Sequence, residues 1–385
     1  MNLPNDSSHR YDVVVVGAGI VGLAHAYEGL RQGARVLVID QATGVTGASV
    51  RNFGHACLTP QTGIAAGFAK EARTRWLELA RQVGFFARES GTTIVARREE
   101  ELAVLQEFTA AAGPERSRML TADELLAKVP VAADSVLGGA VLPEDLQVDP
   151  REAAPEIAAW LATQGVDFAW RTRVAAVSSG HVETTRGTVT ADLIVVATNH
   201  DLDRLYPDIA ERIGMVRCRL HMLKAAPALR MPLATPLLTG WSLLRYSGFA
   251  AQPSAPALRE RLAREQPAGI LFDLNQMYTS PPDGSLIVGD THERSIDSPP
   301  FQSEAGFDLL IEETKTLFGL TELPVLERWQ GVYASAPTQE FVLEEPTPGV
   351  HVITVATGIG MTTALGIAPH TFARSTTASA VRTLV

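Results

Sequence analysis

Val13-Val14-Val15-Val16-Gly17-Ala18-Gly19-Ile20-Val21-Gly22 opens a unit that closes at Val36-Leu37-Val38-Ile39-Asp40. The unbroken run of valines reads as a buried strand, and the glycine turn after it leads into a helical run and a second buried strand. Each glycine has its own task. Gly17 lets the chain turn sharply out of the strand, Gly19 lets the backbone approach a pyrophosphate, and Gly22 lets the helix pack close to the sheet. The helix start at Ile20 and Val21 presents free N–H groups and a partial positive charge to phosphates. Asp40, 18 residues after Gly22 with Gln41 beside it, is placed to accept hydrogen bonds from a ribose hydroxyl. The strand before the glycines and the acid after them separate this unit from an ordinary strand–turn–helix.

The bulk composition narrows the class. At 385 residues the chain is long for one core, and two domains are expected. With 46% hydrophobic and 20% charged residues it reads as an ordinary globular protein. A formal charge of −10 argues against a nucleic-acid partner, which needs a basic face. Cys57 and Cys218 form no metal-spacing motif and no disulfide framework, which fits a reducing cytoplasm. His9-Arg10 and the apolar run ending in Ala24-His25-Ala26 imitate a signal peptide. Cleavage there would destroy the phosphate-binding turn, so the segment reads as a domain's first strand. No stretch approaches the ~20 apolar residues of a membrane span.

The nucleotide fold is assembled from separate pieces. Residues 66 to 112 read as helical, and Thr121-Ala122-Asp123-Glu124 as a capped helix start. A second piece begins near Gln147 and runs through a helix from Ala153 to Gln164 and short strands at Phe168, Val174 and Val182. It ends in the buried strand Asp192 to Thr198. From residue 215 to 334 short strands and Pro-containing turns take over, with a hairpin from Gln276 to Gly289, as in an antiparallel sheet. The segment Ala251 to Ala268 reads as an exposed insertion or helix. The last piece, Val350 to Thr363, is a buried strand breaking at Gly358-Ile359-Gly360-Met361-Thr362 into another helix start. That second set of helix amides favours FAD over NAD, because a flavin needs donors at both its pyrophosphate and its ring end.

Together the Gly17–Gly22 turn, Asp40, Ser49-Val50-Arg51-Asn52-Phe53-Gly54, Val174, Val196-Ala197-Thr198 and Gly358-Ile359-Gly360 resemble the D-amino-acid oxidase family of flavoproteins. The family includes sarcosine, glycine and D-amino-acid oxidases and dehydrogenases, and the resemblance covers nearly the whole chain. It implies an α/β fold with a discontinuous Rossmann-like FAD-binding domain, residues 1–85, 147–214 and 335–385. An antiparallel-sheet substrate domain of residues 86–146 and 215–334 would cover the flavin. It implies that a hydride leaves the carbon beside a small amine for the flavin N5, and that the resulting imine is hydrolysed to a carbonyl compound. The electrons then pass to O2 or another carrier.

Three departures from the family pattern bear on function. The position where sarcosine oxidases attach flavin through Cys matches Gly331, so non-covalent FAD is expected. Where relatives place a carboxylate-clamping Arg, this chain has Tyr333, with Arg328 nearby. The strand Leu286-Ile287-Val288-Gly289 lacks the Lys that sarcosine-type oxidases use with oxygen. In their place stand Arg219 and His221, on one face of the strand Arg217 to Lys224, a strand that equally reads as a charged, solvated edge. His292, His55, Tyr278 and Tyr333 complete the candidate substrate residues. The segments Arg51 to His55 and Gly289 to His292 look similar to a family branch associated with aminophosphonates such as 2-aminoethylphosphonate. There Arg219, His221 and His292 would gather around a phosphonate. Two other readings compete: an NAD-linked dehydrogenase, and a non-catalytic flavin-binding partner protein, which would need a basic face or a large apolar patch that the sequence does not suggest.

Overall fold

A computed structural model describes residues 10–382, with side chains through residue 375. Residues 1–9 and 383–385 of the predicted flavin-binding segments, including His9 of the leader-like start, lie outside the described residues. Arg10–Val16 is the central strand of a parallel sheet. On one side it pairs with Val36–Ile39, which pairs in turn with Asp167–Ala169. On its other side lies Gly187–Val196, followed by Val350–Val355. The strands Val174–Ser178, His181–Thr184 and Phe341–Thr347 extend this sheet in antiparallel fashion. Valines 13 to 16 are all nearly fully buried because helices cover the sheet. Helix Ile20–Arg31 packs against Gly360–Arg382, which packs in turn on Gly63–Val83.

The second sheet is antiparallel except where Leu237–Leu238 runs parallel to Thr92–Ala96. Its long strand Val216–Ala225 pairs with Leu286–Gly289 and Glu293–Ser295 on one side and with Val325–Ser335 on the other. This strand is therefore interior to the sheet, which corrects the edge reading of its alternating charges. The expected hairpin forms from Met277–Thr279 and Leu286–Gly289. His55–Ala56, Leu146–Val148 and Ala87–Arg88 form a small third, antiparallel sheet.

The stretch from 66 to 112 is not one helical region. Helix Gly63–Val83 stops at Gly84 in the left-handed conformation (φ 96°), and a second helix, Glu99–Ala112, follows later. Between them the β-branched run of Thr92–Ala96 becomes an interior strand of the second sheet. The Thr121 cap forms as the sequence suggests: its hydroxyl accepts from Glu124 N–H at 3.3 Å, and Glu124 Oε2 accepts from Thr121 N–H at 2.8 Å. Ala251 to Ala268 carries the helix Ala255–Glu265 and the start of the helix Pro267–Leu271.

Candidate active site

Two adjoining clefts, sharing Gly19, Ala48, Ser49, Ala197 and Asn199, form one channel across the carboxyl ends of the parallel strands. The outer cleft is lined by Gly17, Asp40, Gln41, Val174 and Thr198. Gly17 sits at φ 105°, and a Cβ there would lie 2.5 Å from the Ala197 carbonyl oxygen. A Cβ on Gly22 would lie 1.8 Å from the Gly17 carbonyl oxygen, so Gly22 shapes the turn without lining the channel. Asp40 braces the same turn, accepting from Ala18 N–H at 2.7 Å and from Ala42 N–H at 2.8 Å. Ser49 Oγ accepts from Ile20 N–H at 2.8 Å, which docks the 48–54 loop onto the helix start.

The inner cleft continues past Ile20, Val21, Arg51 and Asn52 to Gly358, Gly360, Met361 and Thr362. Asn52 holds its loop together, donating to the carbonyls of Ala48 and Ser49 and accepting from Gly54 N–H at 2.7 Å. Gly54 packs on the Val148 carbonyl and stays out of the channel. Thr198 Oγ1 in the outer cleft and Thr357 Oγ1 in the inner one are buried without a hydrogen-bond partner. Two helix N-termini, at Gly19 and Gly360, open on the channel, and their first-turn amides have no carbonyl acceptors within their own helices. Glycine walls, helix amides and orphaned hydroxyls along one extended channel fit FAD: a diphosphate needs close backbone approach, and a flavin needs polar donors at its ring. Gly331, the position expected to match the covalent attachment of sarcosine oxidases, lines the inner cleft.

Beyond the flavin end the cavity is walled by Arg245, Tyr246, Asn275, Asp290, His292 and Tyr333. Arg245 lies between the short helices Gly240–Leu243 and Ser247–Ala250 and donates to the Tyr333 hydroxyl at 2.6 Å. No carboxylate among the described residues pairs with it. Burial works against its charge, but its pKa stays above the ordinary value, with the Asp290 carboxylate nearby favouring the charged form. Asp290, buried, has its pKa pushed up by desolvation to about 7, although Arg245 and the Asn275 hydrogen bond pull the other way. Burial, then Arg245, drives the His292 pKa well down, so its ring is neutral at pH 7. Burial also raises the Tyr246 and Tyr333 hydroxyls well above their usual values.

His55 and Cys57 also line this cavity. His55 Nε2 is 2.6 Å from Thr92 Oγ1 and 3.6 Å from Asp145 Oδ2. The His55, Cys57 and Asp145 donor atoms lie within 4.8 Å of one another, a proximity that the spacing of the two cysteines did not announce. Asp145 Oδ1 ties down the following turn, accepting from Leu58 N–H, Thr59 N–H and the Thr59 hydroxyl.

Three residues expected at the substrate are elsewhere. Arg219 turns to the far side of its sheet, where it pairs with Glu293 and donates to the carbonyls of Pro299 (2.7 Å) and Phe301 (2.6 Å). His221 lies between Thr291 Oγ1 (2.7 Å) and the Ser303 carbonyl (3.0 Å) and packs edge-on to Phe307. Tyr278 is a fully buried core residue, its hydroxyl accepting from Gln276 and lying 3.2 Å from Thr314 Oγ1. Both basic side chains share a face, as period-two alternation requires, but that face belongs to the packing layer under helix Glu304–Phe318 and its leading loop. Sequence reasoning missed Arg245, Tyr246 and Asn275, which come from short irregular elements without periodic signal. Asp290 lies within the segment Gly289 to His292, where only His292 was expected at the substrate.

The chain matches the family model described as "FAD dependent oxidoreductase" (DAO) over residues 12–374. It is 30% identical to glycine oxidase from Geobacillus kaustophilus over 226 residues, 54% of this chain and 58% of that relative's length. The crystal structure of glycine oxidase from Geobacillus kaustophilus superposes with a TM-score of 0.75 at 20% identity, covering 94% of both chains. L-proline dehydrogenase from P. horikoshii superposes with a TM-score of 0.77 at 17% identity, covering 94% of this chain and 92% of its own. The fold, the channel and the match across nearly the whole sequence make this chain a member of the DAO family of FAD-dependent oxidoreductases.

Proposed function

We propose that the chain oxidises the C–N bond of a small primary or secondary amine that carries a compact anionic group. The observation that supports this is Arg245: a cation held in a cavity wall beside the flavin cleft, hydrogen-bonded to a neutral tyrosine and, among the described residues, in ion-pair contact with no carboxylate. A buried charge without a partner is costly unless a ligand completes it. FAD, when bound, supplies the two-electron acceptor for the hydride leaving the carbon next to nitrogen. Arg245 orients the substrate by its anion, and the Tyr246 and Tyr333 hydroxyls, kept protonated by burial, are available as further donors. Phe53, Met277 and Val332 supply the apolar part of the wall.

Within this class, 2-aminoethylphosphonate and its N-methyl form are the first substrates to test. Three donors around one anion suit a phosphonate, although the set is Arg245, Tyr246 and Tyr333 and not Arg219 and His221. The alternative is an α-amino carboxylate, which a lone arginine also suits, and glycine oxidase is among the relatives. Both cysteines are free and buried, which supports a reducing, cytoplasmic setting. Among the described residues no helix is long and apolar enough to cross a membrane. The deciding experiment is anaerobic. Purified holoenzyme is mixed with the two phosphonates, glycine, sarcosine and D-alanine, and flavin bleaching is followed. Faster bleaching by the amino acids would sink the phosphonate reading, and no bleaching by any amine would sink the class. Admitting air then separates an oxidase from a dehydrogenase by the rate of recolouring.

A further inference from the structure

Asp290 and His292 face one another across the cavity wall in an arrangement that lacks one proton. The Ser242 hydroxyl donates to Asn275 Oδ1 at 2.8 Å, so the amide's Nδ2 is the end that meets Asp290 Oδ1, at 3.0 Å. That fixes one carboxylate oxygen. The other, Oδ2, lies 3.4 Å from His292 Nε2. His292 Nδ1 lies 2.8 Å from the Asp273 carbonyl oxygen, which only accepts, so Nδ1 carries the ring's proton. With the ring neutral, Nε2 is a bare lone pair. When Asp290 is ionised, two acceptors therefore confront each other in the cavity wall, and a proton arriving between them is the change that relieves both.

We propose that Asp290 and His292 act as one proton-accepting pair that takes the proton from the substrate's ammonium group before the neighbouring carbon is oxidised. The proposal rests on the reading of the chain as an amine oxidoreductase. An N–H bond of the ammonium breaks, its proton lodges between Asp290 Oδ2 and His292 Nε2, and nitrogen keeps the electron pair. The substrate loses one positive charge and the pair loses one negative charge, so the cavity gains no net charge. A neutral nitrogen is what hydride departure from the adjacent carbon requires, because its lone pair fills the vacancy left on carbon.

The surrounding charges are consistent with this role. Arg245 bears on both members of the pair, and the Asp273 carboxylate, which adds to the upward push on Asp290, is paired with Arg294 at 2.7 Å. Tyr333, Tyr246, Cys218 and Cys57 are each pushed up by burial and stay protonated. Asp290 changes charge around neutrality, its pKa standing at about 7; His55, in the same cavity, is turned to Thr92 and Asp145 instead of to this pair. The sign follows: above that pH the pair is empty and accepts, and below it the pair is loaded and the reaction slows.

The test is stopped-flow reduction of the bound flavin under anaerobic conditions, across pH. It uses the best amine of the panel and an analogue fluorinated near nitrogen, whose amine is the weaker base. Wild-type reduction should accelerate as pH rises through neutrality. Asp290→Asn preserves shape and the Asn275 contact, and should slow reduction about a hundredfold or more. It should also lose the acceleration and show a roughly tenfold smaller deficit with the fluorinated amine. Its flavin content should match wild type. An equal deficit with both amines, or a retained acceleration, would overturn the proposal, since a structural role predicts those results. If Asp290→Asn yields no flavoprotein, His292→Gln decides: replacing the bare lone pair with an amide donor should move the inflection to lower pH, and an unmoved inflection overturns the pairing. Wild-type flavin left oxidised by every amine would defeat the amine reading itself, an outcome separate from any variant result.

Discussion

The two ends of the channel recognise their ligands by different means. The nucleotide end is built from backbone: Gly17 and Gly22 bring strand and helix together, and Asp40 and Ser49 spend their hydrogen bonds bracing that turn. The substrate end is built from side chains. Arg245, Asn275, Asp290, His292 and Tyr333 come from four separate stretches of chain and meet only in three dimensions. A backbone site tolerates almost no change in residue size and is indifferent to most changes in charge; a side-chain site behaves the opposite way. Substitutions at each end should therefore fail differently.

The largest effect is expected at the turn. Gly22→Val places a side chain where even a Cβ would lie 1.8 Å from the Gly17 carbonyl oxygen, a backbone atom that cannot swing aside, with Val15 Cγ1 also within 3.1 Å. The expected outcome is protein without flavin, seen as loss of visible absorbance relative to protein, or no folded protein at all. Retention of stoichiometric flavin would break the contrast between the two ends.

Arg245→Met should act in the reverse manner. Flavin content should stay at the wild-type level while kcat/KM falls by about 30- to 4000-fold, the equivalent of ~2–5 kcal/mol for removing one partner of a desolvated charge pair. The same substitution should raise the Kd of an amine-free alkylphosphonate or carboxylate, read from its perturbation of the flavin spectrum. An unchanged Kd would show that the anion sits elsewhere.

This division also explains what could be read in advance. The parallel sheet, the glycine turn and the second helix start at Gly360 were legible because each is written in a contiguous window with a fixed spacing, and valines 13 to 16 leave no other assignment. The strand Thr92–Ala96 was lost inside a long helical reading because its neighbours are rich in Ala, Glu and Arg, although its own β-branched residues marked it. Alternation along Val216–Ala225 correctly put Arg219 and His221 on one face but carried no information about which face meets the cavity. Sheet packing against Glu304–Phe318 decides that. Arg245 had no comparable signal, since the residues on either side of it form helices only four residues long.

Arg219 sharpens the point through stability. It is buried, and its contacts to Glu293 and to the carbonyls of Pro299 and Phe301 hold down the loop after Glu293–Ser295. Arg219→Met should lower stability by about 1–3 kcal/mol, because two carbonyls lose a charged donor, and should leave kcat/KM within a few-fold of wild type. Thermal unfolding of the holoenzyme beside steady-state kinetics measures both. A collapse of kcat/KM without a loss of stability would return Arg219 to the substrate site.

The smallest expected effect comes from Tyr333→Phe, and it separates charge from positioning at the substrate end. The hydroxyl accepts from Arg245 at 2.6 Å and bears no charge itself, since burial holds its pKa far above neutrality. Removing it leaves the guanidinium in the cavity with one hydrogen bond fewer, a change worth about 1 kcal/mol. If Arg245 supplies most of the attraction and the Tyr333 hydroxyl aims it and adds one neutral donor, kcat/KM should fall about fivefold. The change should fall mainly on KM, because the anion is held equally in ground and transition states. A loss as large as that of Arg245→Met would mean that the hydroxyl holds the substrate as strongly as the guanidinium does. The side-chain end would then owe its recognition to a donor pair and not to a single charge.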